Sequence, residues 1–93
     1  SLFEKSEENA KTPDDYCTIA AIAISEFKDK DKGLRYYKKA VDKSDKFSDF
    51  LSVACGVYNI LEDKDWGRRL FKKAEDNAKT TEDVRLLKLN QLR

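Results

Sequence analysis

The chain repeats itself with a period of 34, and this constrains it more than any other feature. Slid along by one period, the sequence falls on itself at Asp15/Asp49, Ala20/Ala54, Asp29/Asp63, Lys30/Lys64, Asp31/Asp65, Gly33/Gly67, Arg35/Arg69, Lys38/Lys72, Lys39/Lys73, Ala40/Ala74 and Asp42/Asp76. Abundant lysine and aspartate account for some of these pairs, but not for two matched glycines in a chain that holds only 3. Conservative pairs keep the same register: Ile19/Val53, Ile24/Tyr58, Phe27/Leu61 and Tyr37/Phe71. A slide of two periods brings in the N-terminus, where LFEKSEENAKT (Leu2 to Thr12) lies on LFKKAEDNAKT (Leu70 to Thr80). A unit this short cannot bury its apolar face alone and is completed by stacking on its neighbours. The chain therefore divides into the second helix of a partial repeat (1–12), two full repeats (13–46 and 47–80) and a terminal capping helix (81–93). It opens in mid-repeat and without Met, and so reads as a piece of a longer array.

Each repeat reads as two helices. Thr12-Pro13-Asp14-Asp15 starts the first: Thr12 caps, Pro13 suits the first helical position and Asp15 closes a capping box. This helix is expected over Pro13–Lys28, with its copy over Ser48–Glu62, and Thr80-Thr81-Glu82-Asp83 repeats the start signal. The second helices follow the short turns Asp29-Lys30-Asp31 and Asp63-Lys64-Asp65, with Asp31 and Asp65 as expected caps. Such short turns force antiparallel neighbours. Tyr16–Phe27 and Phe50–Leu61 are apolar nearly all round and need cover on more than one side. Leu34–Ser44 and Arg68–Ala78 are amphipathic, with Leu34, Tyr37, Ala40 and Val41 on one stripe and Arg35, Lys38, Lys39 and Asp42 on the other. The amphipathic helices therefore belong outside. The last segment has Val84, Leu86, Leu87, Leu89 and Leu92 against a polar stripe of Arg85, Lys88, Gln91 and Arg93, as a terminal cap requires. The expected fold is all-α: an α-solenoid of antiparallel helix pairs, with five to six helices.

Composition narrows the function. The chain has 93 residues, 19 Lys and Arg against 18 Asp and Glu, and a net charge of +1. That balance gives no general attraction to nucleic acid or anionic lipid. No apolar run approaches the ~20 residues of a membrane span. The absence of His removes the usual general base and metal ligand. Neither Cys17 nor Cys55 lies in a C-x-x-C pair, and no phosphate-binding loop occurs. The acidic pairs Asp14-Asp15 and Glu82-Asp83 sit at helix starts, where capping and the dipole explain them. No catalysis, cofactor or metal is expected. The two cysteines read as buried, reduced, alanine-like residues of a cytoplasmic chain.

These residues resemble the tetratricopeptide repeat, or a Sel1-like or half-repeat relative of it. The family's small position early in the first helix falls on Ala21 and Cys55, and its large position on Ile24 and Tyr58. The small position opening the second helix falls on Gly33 and Gly67. The aromatic falls on Tyr37, Phe71 and Phe3, and the final small position on Ala40, Ala74 and Ser6. The family's early Trp is replaced by Cys17 and Leu51, and its closing Pro by Asp45 and Lys79. Trp66 opens an outer helix instead, where packing against the preceding turn is expected.

The resemblance implies a right-handed α-solenoid, a curved, non-catalytic scaffold whose first helices line a concave groove for a peptide or partner helix. Carried over, the groove residues are Asp15, Thr18, Ile22 and Ser25, then Asp49, Ser52, Gly56 and Asn59, then Asp83 and Leu86. This floor is short, small and neutral to acidic, with Ser52 and Asn59 offering hydrogen bonds. Thr18 and Ser52 stand where a carboxylate clamp would need Lys or Arg, so binding of a partner's C-terminal carboxylate is not expected. One rival is a structural spacer within a longer helical array. Another is an acidic-partner or nucleic-acid surface on Arg35, Lys38, Lys39, Arg68, Lys72 and Lys73. The chain is expected to be a monomer, or to self-associate weakly through its N-terminal half-repeat.

Overall fold

The computed structural model describes residues 2–91, which form six α-helices and no strand. They are α1 (Leu2–Asn9), α2 (Pro13–Ser25), α3 (Lys30–Lys43), α4 (Phe47–Asn59), α5 (Lys64–Asp76) and α6 (Thr81–Gln91). Helix starts recur at one interval, which separates Pro13 from Phe47, Lys30 from Lys64 and Phe47 from Thr81 alike.

The start of α2 is the capping box expected from its sequence. Asp15 N–H donates to Thr12 Oγ1 at 3.1 Å, and Thr12 N–H donates back to Asp15 Oδ2 at 3.2 Å. Thr80 and Asp83 reproduce the forward bond at α6, at 3.0 Å. At α4 Lys46 takes the threonine's place and makes no side-chain cap.

The first helices stop sooner than expected, at Ser25 rather than Lys28 and at Asn59 rather than Glu62. Lys28 and Glu62 are left-handed, with φ of 55° and 65°. That conformation turns the chain and lets Asp29 N–H reach Ala23 O at 2.9 Å, and Asp63 N–H reach Val57 O at 3.1 Å. The same two aspartates start the next helices. Asp29 Oδ1 accepts from Lys32 N–H at 2.9 Å, and Asp63 Oδ1 accepts from Trp66 N–H at 3.1 Å. The caps of α3 and α5 are thus Asp29 and Asp63, not Asp31 and Asp65. Those two lie inside the first turn, where the helix dipole favours an acid.

α2 packs chiefly on α3, and α4 chiefly on α5. Both pairs are antiparallel. Gly33 faces Ile24 near the connection, while Tyr37 lies beside Cys17 a turn or more away from it. Gly67 likewise faces Tyr58, and Lys73 lies over the Phe50 ring at 5.7 Å. A Cβ on Gly33 would run into the Ile24 side chain, and one on Gly67 would stand 2.8 Å from Tyr58 Cβ. Glycine at these two places is what brings the paired helices so close.

α4 is the centre of the molecule. It meets α2, α3, α5 and α6, and it buries Phe47, Phe50, Val53, Ala54 and Val57. The outer helices contribute Tyr37, Ala40, Leu70, Phe71 and Ala74 to the core, while Leu34 and Val41 are half-buried. Trp66 is half-buried against the same core. Among the described residues, the contacts join helices close in sequence, and the molecule is elongated, 42 × 23 × 17 Å.

α6 departs from the expected cap. Among the described helices it meets only α4 and α5, and so it buries a single residue, Leu87. Val84, Leu86 and Leu89 are left exposed, as Arg85 and Lys88 are. Leu92 and Arg93 lie outside the described residues. α1 has no fully buried residue. It is held by Phe3 against Phe27 (5.0 Å between ring centres), by Tyr36 O–H donating to Glu7 Oε1 at 2.7 Å, and by Lys32 at 3.4 Å from the same oxygen. No helix among the described residues is long and apolar enough to cross a membrane.

Candidate functional site

The stacking of α2 on α4, with α6 beyond, opens a groove of about 520 Å³. Its walls are Cys17, Thr18 and Ala21 from α2, then Leu51, Ser52, Cys55 and Gly56 from α4. Asn59, Ile60 and Asn90 close it, and Tyr37 of α3 forms the floor. The groove runs along the first helices because they carry small residues there: Ala21, Ser52 and Gly56 leave room that larger side chains would fill. A Cβ at Gly56 would sit 2.6 Å from the Tyr37 hydroxyl, so glycine there leaves room for the buried ring.

None of the lining side chains is charged at neutral pH. Burial, with the nearby Asp14 and Asp49 carboxylates, pushes the Cys17 thiol up to about 12. Burial likewise raises the Tyr37 phenol. Both stay protonated and available as hydrogen-bond donors. Cys55 Sγ lies 3.3 Å from Asn90 Oδ1, whose amide nitrogen in turn donates to Leu86 O at 2.8 Å. The cysteines are half-buried rather than buried, because each forms part of an open wall.

Of the residues expected to line the site, Thr18, Ser52, Gly56 and Asn59 come together here. The aspartates do not join them. Asp15 accepts from Lys11 and Thr12 N–H, Asp49 from Asp45 N–H at 3.2 Å, and Asp83 from Lys79 N–H at 2.9 Å. These backbone donors hold the Asp15 carboxyl below its ordinary value. The groove is therefore neutral, not acidic. Ile22 is half-buried and Ser25 exposed, and neither lines the groove; Ser25 O accepts from Lys28 Nζ at 3.0 Å. Leu86 is exposed on α6. Cys17, Cys55, Tyr37 and Asn90 belong to the site but were not expected there. Asn90 was within reach of the sequence, since the shift that carries Ile22 to Gly56 carries Gly56 to Asn90.

Thr18 also lines a second groove, between α1 and α2, together with Asp15, Leu2, Lys5, Ser6, Asn9 and Ile19. On the outer helices Arg35, Lys38, Lys39, Arg68, Lys72 and Lys73 are all exposed. Arg68 pairs with Asp65 at 3.1 Å and Lys72 with Glu75 and Asp76 at 3.0 and 3.3 Å, while Lys39 lies over the Tyr36 ring. Among the described residues no group of His, Cys, Asp or Glu is arranged to hold a metal ion.

Comparison with known families, with curated protein sequences and with solved structures finds no match for this chain.

Proposed function

We propose that the chain is a tetratricopeptide-like scaffold module, a right-handed stack of helix pairs that docks a peptide or partner helix in the α2–α4 groove. The observation that carries this reading is the neutral groove itself, walled by small side chains and floored by Tyr37. Supporting the repeat are the common interval between helix starts and the matched left-handed residues at Lys28 and Glu62. The preferred ligand is an extended or helical segment with small apolar anchors. Thr18, Ser52, Asn59 and Asn90 can meet its peptide groups without a buried charge on either side. The half-buried thiols suit a reducing, cytoplasmic setting. The outer lysines and arginines favour no acidic partner, since neighbouring acids and rings already occupy several of them.

Display of a peptide library against the chain tests the groove. Selected peptides should lose about tenfold or more in affinity on Thr18→Arg or Asn59→Ala, and keep it on Lys72→Glu/Lys73→Glu. The reverse pattern moves the site to the outer face. The elongated shape supports a second reading, a spacer that binds nothing through the groove, and a library that returns no groove-dependent peptide favours it.

A further inference from the structure

The floor of the α2–α4 groove holds a hydrogen-bond donor with nothing to donate to. Tyr37 is 1% exposed, yet among the described residues its hydroxyl makes no hydrogen bond. The neighbouring tyrosines are partnered: Tyr36 O–H donates to Glu7 Oε1 at 2.7 Å, and Tyr16 O–H to Ala10 O at 3.4 Å. A phenol as deep as Tyr37 normally finds a partner too. Among the described residues no polar side-chain atom is both sealed from solvent and unpaired, so the Tyr37 oxygen keeps an opening onto the groove that its ring floors.

The repeat places this hydroxyl once. At the same position stand Phe3 and Phe71, which have none. The residue beside it changes in step. Gly56 lies against the Tyr37 hydroxyl, whereas one period on Asn90 shares a pocket with Phe71. Glycine is what lets the oxygen reach the wall formed by α4.

The missing partner is an acceptor, since burial and the nearby Cys17 thiol raise the Tyr37 phenol and keep its proton on. Its charge is constrained as well. No lining side chain is cationic, and Asp14 and Asp49 stand close enough to Cys17 to act on its thiol. A carboxylate would enter without a counter-charge and beside like charges. A neutral carbonyl meets neither cost. In a helix the main-chain carbonyls are already bonded within the helix, while an extended segment leaves them free. Thr18, Ser52 and Asn59 are exposed on the walls and make no side-chain hydrogen bond among the described residues, so they remain for the adjoining peptide groups.

We infer that the groove takes an extended segment rather than a helix, and that the Tyr37 hydroxyl donates to one of its main-chain carbonyls. This rests on the α2–α4 groove being the docking site and narrows what it accepts. A segment that offers no carbonyl there leaves a buried donor unpaired, which is how Tyr37 selects.

Tyr37→Phe tests it, and Phe71 shows that the position accepts phenylalanine. The probes are library peptides that bind the unaltered chain and are lost on Thr18→Arg. On Tyr37→Phe their affinity should fall about tenfold, while circular dichroism and thermal unfolding show the helices intact. Each main-chain amide of such a peptide is then exchanged for an ester, a poorer acceptor. At one position the exchange should cost about tenfold on the unaltered chain and far less on Tyr37→Phe, a coupling that a merely structural role of Tyr37 does not produce. Groove-dependent peptides that are indifferent to Tyr37→Phe, or that show no coupled position, overturn the inference and leave the groove standing. So does a peptide that gains helix on binding, read by circular dichroism. A library that yields no peptide sensitive to Thr18→Arg overturns the groove reading and this inference together.

Discussion

Gly33 and Gly67 occupy the same place in two helix pairs, yet they respond to the same change differently. A Cβ on Gly33 would meet Cδ1 and Cγ1 of the Ile24 side chain, with the Ala20 carbonyl oxygen 3.3 Å away in looser contact. A Cβ on Gly67 would meet Tyr58 at Cβ and at its backbone Cα, 3.0 Å away, and neither can move without the helix. Alanine gains about 1 kcal/mol over glycine in helix propensity. At Gly33 that gain offsets part of the crowding, so Gly33→Ala should cost less than the same change at Gly67. Gly67→Ala should destabilise by about 1–3 kcal/mol through overpacking. Denaturant unfolding of the two variants side by side checks the order. The glycine pairing was legible in the sequence as a repeated small residue opposite a repeated large one. Which neighbour can yield was not, because that depends on which atoms face the gap.

At the scale of the element, the connections between paired helices do more than their length indicates. Asp29 and Asp63 each end one helix through the backbone N–H and begin the next through the carboxylate. The left-handed residue before each costs about 1–2 kcal/mol when it carries a Cβ, and glycine avoids most of that. Lys28→Gly and Glu62→Gly should therefore each stabilise the chain by about 0.5–1 kcal/mol after the entropy of glycine is counted, as thermal unfolding can show. The caps of α2 and α6 were plain from Thr12-Pro13-Asp14-Asp15 and its copy. The ends of α2 and α4 were not. Lys28 and Glu62 are ordinary helix formers, and no glycine marks the turn, so only tertiary pairing reveals where the helix stops. In α6 the apolar residues were visible, but their burial depended on which neighbours α6 has.

Over the whole molecule, order should fall away from α4, which alone among the described helices meets four others. α1, with no fully buried residue, should exchange its amides first. Acid should widen this gradient at the same end. The Tyr36 hydroxyl, assisted by Lys32, holds the Glu7 carboxyl below its ordinary value, and the Lys11 and Thr12 amides do the same for Asp15. A lowered folded-state value means that the unfolded chain takes up protons first. This contribution is complete above the ordinary carboxylate range and drains away as pH falls from ~4.5 toward the lowered values. Hydrogen exchange across that range should show α1 and the start of α2 loosening before α4. In Glu7→Gln and Asp15→Asn the acid-dependent part should shrink. The groove was half legible for a related reason. Thr18, Ser52 and Asn59 were found by repeat position, whereas the aspartates were misplaced because their carboxylates serve the backbone nearby.

Because among the described residues each helix touches only those near it along the chain, mechanical tension is carried in series. Pulled by its two ends, the molecule should shed α1 at low force, where Phe3 on Phe27 and the Glu7 contacts are its main ties. The α4–α5 pair would then remain as a compact remnant able to recoil when the load is released.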